Sequence, residues 1–233
     1  MKIAIMQPYL FPYIGYWQLI STVDAFVIYD NVKYTKQGWI NRNRILVGRK
    51  DYLFTVPLKK DSDSLDVCQR RLAESFAQDS ASLVSRIESA YGNASNFQDT
   101  IELVSRCFRF DDPNLFNFIY YSVTQVCEYL GISTPIVKSS TISTGNGLKK
   151  EHRVMAICKA LGATEYINPI GGMELYNREE FKLEGLNLVF LKSKDISYKQ
   201  FDNEFVPWLS IIDVMMFNPK DRISEMLNEF DLV

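Results

Sequence analysis

The residues best suited to chemistry are crowded between Asn31 and Ile45, where Asn-Val-Lys-Tyr-Thr-Lys-Gln-Gly-Trp-Ile-Asn-Arg-Asn-Arg-Ile interleaves cations, amides and aromatic rings. Lys33, Lys36, Arg42 and Arg44 can neutralise a phosphate or a carboxylate through charge-assisted hydrogen bonds. Asn41 and Asn43 can read polar edges, and Tyr34 or Trp39 can stack on a base or a sugar ring. The same interleaving suits single-stranded nucleic acid. A formal net charge of −2 argues against that partner, because it supplies no broad positive field for a phosphate backbone. The expected ligand is therefore a small molecule carrying a diphosphate. The plainer alternative is a solvated hairpin with one buried tryptophan.

A second group of polar residues follows short apolar runs. Gln7, Pro8 and Tyr9 come directly after Ile3-Ala4-Ile5-Met6, with Tyr13 close behind; Asp30 and Asn31 come after Ala25-Phe-Val-Ile-Tyr29. Ser139 and Ser140 follow Pro135-Ile-Val-Lys138, and Asn168, Gly171 and Gly172 close the run that begins at Glu165. Asp30 is the favoured proton acceptor and Gln7 a polar partner near the reacting group. Gly171-Gly172 would let backbone approach a ligand closely. Each of these also has an ordinary reading as a turn. His152, the one histidine, is the remaining acid or base candidate, since it titrates in a useful range; it also reads as a surface residue in a charged run. Beside it, Arg153 can fork onto phosphate. No Ser-His-Asp, Cys-His or metal-ligand set assembles from one histidine, so no metal is expected.

These residues converge only if particular elements position them. Short continuous apolar runs, rather than alternating ones, suit strands covered on both faces. Residues 2–6 and 25–29 are two such strands, with a helix from Ile14 to Val23 between them, which makes a βαβ unit. The rhythm returns at 135–138, a helix from about Lys149 to Leu161 stopped by Gly162, a strand at 165–168, a short helix near Asn177 to Lys182, and a strand at 188–191. About five parallel strands in two βαβ groups predict an α/β fold with a doubly wound, mostly parallel, Rossmann-like sheet. In such a sheet the ligand crevice lies beyond the strand carboxyl ends, where strand order reverses.

The middle of the chain reads as a strand at Tyr52 to Pro57 followed by helices near 80–91, 97–108 and 114–130. These form a helical insertion of about residues 64–132 within one domain spanning 1–233. Ser210-Ile-Ile-Asp213 is an approximate capping pattern opening a helix to about Phe217, and Asn218-Pro219 opens a terminal amphipathic helix. At 233 residues and 47% hydrophobic the chain can bury one substantial core. Cys68, Cys107, Cys127 and Cys158 have no CxxC spacing and read as buried free thiols. No stretch reaches the roughly 18 apolar residues of a spanning helix. Gln7-Pro8 and Pro12 interrupt the apolar start too early for a secretory leader, so a cytoplasmic location is expected.

The stretch Met6-Gln-Pro-Tyr-Leu-Phe-Pro-Tyr-Ile-Gly-Tyr-Trp17 resembles the opening signature of the WbqC-like family. The likeness continues through Asp24 to Asp30, Gly38-Trp-Ile-Asn-Arg-Asn43, Arg153 to Cys158, Gly162-Ala163, Tyr166 to Gly172, Tyr176 and Leu209-Ser-Ile-Ile-Asp213. The resemblance implies a place in surface-polysaccharide or O-antigen (lipopolysaccharide) biosynthesis, and transfer of a glycyl or other acyl group onto an amino sugar. It marks motif positions without fixing their roles. Tyr13-Ile-Gly-Tyr16 also has the layout of the H-x-G-H element of nucleotidyltransferase-like ligases such as pantothenate synthetase, with tyrosine at both histidine positions. That departure removes groups which would stabilise charge on a transferring phosphate, so the likeness extends to placement alone.

The combined expectation is an amide-forming transferase that joins a small carboxylate to the amino group of a nucleotide-linked sugar. Lys33, Lys36, Arg42 and Arg153 would hold phosphate or carboxylate. Gln7, Asp30, Asn41, Asn43 and Asn168 would orient the sugar or act near the amine, with Tyr9, Tyr13 and Trp39 lining the site. ATP or another nucleotide is the candidate cofactor. A nucleotidyl- or glycosyl-transferring enzyme and a noncatalytic sugar-nucleotide binder are the competing readings, and the oligomeric state is left open.

Overall fold

Ile3, Ala4 and Ile5 in the first strand divide between two separate cores, which is why the run is apolar without interruption. The computed structural model describes residues 1–144, 148, 150–202 and 204–233. Strand β1 (Lys2–Met6) leads through helix α1 (Ile14–Thr22) to β2 (Ala25–Ile28), then to a hairpin of β3 (Arg42–Val47) and β4 (Lys50–Thr55). Three helices follow, α2 (Phe76–Tyr91), α3 (Phe97–Phe108) and α4 (Leu115–Leu130). The chain continues through β5 (Ile136–Lys138), α5 (Lys150–Ala160), β6 (Glu165–Pro169), α6 (Arg178–Leu183) and β7 (Asn187–Ser193). It ends with α7 (Ile211–Phe217), α8 (Lys220–Met226) and β8 (Phe230–Leu232). The predicted start of α5 at Lys149 lies outside the described residues.

Six strands form one sheet in the order β5-β2-β1-β6-β7-β8; the first five run parallel and β8 pairs antiparallel with β7. Ala4, Phe26, Ile28, Ile167 and Leu191 face a core built with α1, α3, α4, α7 and α8. Ile3, Ile5, Val27, Tyr166, Leu188 and Phe190 face the other core, built with α5 and α6. Alternate side chains of each strand thus meet different helix layers, as the period of two requires. The α/β class and the mostly parallel sheet agree with the sequence expectation. Among the described residues no helix is long and apolar enough to cross a membrane.

The order reverses between β1 and β6. Their ladder holds only Lys2↔Glu165 and Ile3↔Tyr166, whereas β1 pairs with β2 over four positions and β6 with β7 over five. The two central strands therefore part company toward their carboxyl ends, which opens the edge where Gln7 and Asn168 emerge.

Two strands differ from expectation. β3 occupies part of the cation-rich stretch and pairs with β4 around a tight turn at Gly48 and Arg49, with φ of 57° and 67°, the left-handed geometry that matches hairpin twist. The tryptophan of that stretch is not the buried residue: Trp39 is 37% exposed while Ile40 beside it is fully buried. β8 follows α8 where the terminal helix was expected to be the last element. The helical segment from 64 to 132 packs directly on the sheet, where Tyr120 donates to the Ile136 carbonyl (3.3 Å).

Candidate functional site

The loop leaving β1 is held by its carbonyls. Asn43 Nδ2 donates to those of Leu10 and Phe11 (2.8 and 2.7 Å), and Ser210 Oγ donates to that of Phe11 (2.7 Å). Trp17 Nε1 and the Ile211 amide donate to the Pro12 carbonyl, each at 3.0 Å. Three segments far apart in sequence thereby fix one backbone, in which Phe11 takes a φ of 43°. That conformation is costly for a residue with a side chain and needs such over-determination. The consequence is that Tyr9 and Tyr13 face outward at the carboxyl end of β1.

There they line a cavity of ≈ 230 Å³ with Trp39, Asn43, Arg44 and Trp208. A second cavity, ≈ 340 Å³, lies beyond the end of β7 and shares Tyr13 and Trp208 as a wall. The two rings meet edge-on at 5.8 Å. Trp208 is 61% exposed and holds a φ of 60°, so a large apolar ring is kept in water on a strained backbone. Gly15 is needed for Tyr13, because a Cβ there would fall 2.4 Å from the tyrosine ring. Burial raises the Tyr9 and Tyr13 phenols above their usual range, Tyr13 with help from Tyr9, so both stay protonated and can donate at neutral pH. Tyr16, the other tyrosine of Tyr13-Ile-Gly-Tyr16, is fully buried and donates to the Gln7 carbonyl (2.9 Å), where it supports the loop.

The cations of this region are unevenly committed. Arg44 lies 5.3 Å over the Trp39 ring and reaches Asp51 at 3.2 Å. Arg42, 5.8 Å from the same ring, donates to the carbonyls of Gly38 and Gln37. Lys36 pairs with Asp63 on the surface (2.9 Å), and Lys33 is exposed where its backbone bridges to Asp66. Asn41 is spent internally, donating to the Val56 carbonyl (2.7 Å) and accepting from Tyr34 (2.8 Å).

A tight polar knot occupies the ends of β2 and β5. The Asp30 carboxylate, buried, accepts from Ser139 Oγ (2.8 Å), Ser140 N (2.8 Å) and Ser140 Oγ (2.5 Å). Arg153 on α5 donates to the Asn31 carbonyl (3.1 Å) and to Asn31 Oδ1 (2.5 Å), with its guanidinium 4.7 Å over Tyr29. At the end of β6, Asn168 accepts from Tyr166 (3.0 Å) and donates to the Pro169 carbonyl (3.0 Å). Gly172 lies so near that a Cβ would come 2.1 Å from Asn168 Nδ2, whereas Gly171 faces open space. Gln7, half-buried, makes no side-chain hydrogen bond among the described residues. His152 projects outward, 65% exposed and 4.0 Å from Glu151.

Tyr9, Tyr13, Trp39 and Asn43 thus share one cavity, and Asp30 and Arg153 meet through Asn31. Gln7, Asp30, Arg42 and Asn168 all lie near strand or hairpin ends but line neither of the two cavities. Sequence reasoning missed Trp208, and it read Asp213 as part of a capping pattern and not as a buried carboxylate. Ser210 caps α7 as expected, its Oγ accepting from the Ile212 amide (3.2 Å), but the Asp213 side chain takes no part in the cap. Fully buried, it accepts from Tyr91, Tyr198 and Gln200, each at 2.7 Å. Burial raises its pKa and those hydrogen bonds oppose the rise. A carboxylate inside the apolar run from Leu209 to Phe217 was the available signal, since a charge there must find partners. Among the described residues no group of three or more His, Cys, Asp or Glu side chains is arranged to hold a metal ion.

A model of the WbqC-like protein family matches residues 7–225. Uncharacterized protein Rv1507c of Mycobacterium tuberculosis is 28% identical over 219 residues, which cover 93% of this chain and 93% of that one. No solved structure matches the chain.

Proposed function

The chain belongs to the WbqC-like protein family, and from that premise we propose that it is an amide-forming acyl or aminoacyl transferase acting on the amino group of a nucleotide-linked sugar. The setting is surface-polysaccharide synthesis in the cytoplasm, on a single Rossmann-like domain. The observation that carries this reading is the pair of adjoining cavities divided by Tyr13 and Trp208. Aromatic faces suit sugar and base rings, and the walls carry Arg44 and Lys194, each on a surface ion pair (Asp51 at 3.2 Å, Asp231 at 3.4 Å) that an anionic ligand can compete for.

In the transfer, the sugar nitrogen attacks an activated acyl carbon, a C–N bond forms and the bond to the leaving group breaks. If ATP activates the acid as an acyl-adenylate, AMP departs. The amine must give up a proton, and we assign its acceptance to Asp195, which lines the larger cavity. Asp30, whose oxygens already take three donors, acts by fixing the ends of β2 and β5. Tyr9 and Tyr13, as protonated phenols, orient the sugar hydroxyls.

Incubation with nucleotide amino sugars, ATP and a pool of carboxylic and amino acids, followed by mass spectrometry, tests the proposal. The expected product is a sugar nucleotide heavier by one acyl group, lost in Trp208→Ala. Pyrophosphate or nucleoside diphosphate released without acylated sugar would replace this reading with nucleotidyl or glycosyl transfer. Thermal stabilisation by the sugar nucleotide with no turnover would replace it with a binding role.

A further inference from the structure

The larger cavity bears on the identity of the transferred group. Its buried and half-buried lining is mostly apolar, made by Ile14, Ile196, Phe205, Leu209 and Val214; the half-buried polar groups are the Tyr13 phenol and Ser193, whose Oγ donates to the Lys194 carbonyl (3.3 Å), while Lys194, Asp195, Ser197, Pro207 and Trp208 are exposed. Tyr198 adds its ring to the wall, but its hydroxyl is already donated to Asp213 (2.7 Å). The interior therefore offers little to a charged ammonium, whose burial without partners is strongly unfavourable. At ≈ 340 Å³ it lies near the small end of the range for ligand pockets. That is room for about eleven water-sized groups at roughly 30 Å³ each.

We propose that this cavity is an acyl compartment, taking an uncharged aliphatic chain of up to about eight carbons with its carbonyl at the polar rim. The proposal rests on the transfer reading above and narrows its donor: the compartment selects against glycine and other aminoacyl groups. Trp208 and Tyr13 separate the chain from the sugar and bring the carbonyl to the boundary between the two cavities. The anchoring of Tyr198 and Gln200 on Asp213 holds the outer wall in register with α7.

Titration calorimetry of the full chain with sodium alkanoates from acetate to decanoate, and with glycine, tests it without any sugar. Affinity is expected to rise about three- to fourfold per methylene up to about eight carbons, following the transfer free energy of a buried CH₂, with no binding of glycine. Ile196→Trp, which fills a half-buried wall, is expected to move the optimum to shorter chains, and Val214→Phe to do so from the floor. Affinity independent of chain length, glycine bound as well as hexanoate, or an unmoved optimum in folded Ile196→Trp would overturn the compartment. Length-dependent alkanoate binding with no acylated sugar in the transfer assay leaves the compartment standing and removes the transfer reading. Glycylated sugar formed by a protein that ignores alkanoates does the reverse.

Discussion

At the ends of β2 and β5 the polar side chains are used up on one another: Asp30 on Ser139 and Ser140, Asn31 on Arg153. At the ends of β1 and β7 the arrangement is opposite. Buried amides and hydroxyls hold the backbone from behind, and Tyr9, Tyr13, Trp39 and Trp208 are left with faces open toward two cavities. The difference teaches that polar density along a chain does not measure availability. Saturated groups set geometry, whereas partly exposed rings on constrained backbone are where a ligand gains contacts.

The largest effect that would sharpen this contrast is on stability at the knot. Asp30→Ala removes a buried acceptor of three hydrogen bonds and is expected to cost about 2–4 kcal/mol, read from urea midpoints. A loss under about 0.5 kcal/mol would mean the knot is not structural. Trp208→Gly should behave in the opposite sense. Glycine accepts the positive φ without strain, so stability rises by about 1 kcal/mol while acyl transfer falls at least about tenfold, equal to about 1.4 kcal/mol of transition-state binding. A destabilised but fully active variant would reverse the roles assigned to the two regions.

Asp213 gives a smaller, pH-dependent effect. Burial raises its carboxyl above the ordinary 3.8, so the native chain holds this proton more tightly than the unfolded one. Its contribution to stability is full below 3.8 and shrinks as pH rises through the raised native value. Asp213→Asn cannot titrate, so its stability relative to the parent should improve between pH 3.5 and pH 7. A gap unchanged across that window would remove the assigned direction. Smallest of all is Lys36→Ala, which breaks an exposed pair with Asp63 and should change stability by about 0.5 kcal/mol or less and leave the rate of transfer as it was; a clear fall in rate would return the lysine to the site.

Much of the sheet was legible because two-sided burial leaves a simple trace. The runs at β1, β2, β6 and β7 needed no long-range knowledge, and Gly162 with its positive φ (68°) ends α5 where the sequence places it. β3 was obscured because Asn43 and Arg44 read as ligand groups. Only tertiary structure shows that the Asn43 amide is spent on Leu10 and Phe11, 33 and 32 residues away. β8, three residues long and mostly exposed, exists through pairing with β7 rather than through any pattern of its own. The cations Lys33, Lys36 and Arg42 were legible as charges, but their partners were not, since Asp63 and the Gln37 and Gly38 carbonyls meet them only once the loop has folded. Trp208 was invisible as a site residue because neither its backbone strain nor its exposure is written in residue type.

A crystal structure of the protein soaked with a nucleotide-linked amino sugar tests the central claim most directly. The account predicts the sugar ring against Tyr13 and Trp208, with its amino group at the boundary of the two cavities and the diphosphate toward Arg44. Density seated instead on Arg153 and Asp30, with Trp208 untouched, would contradict it.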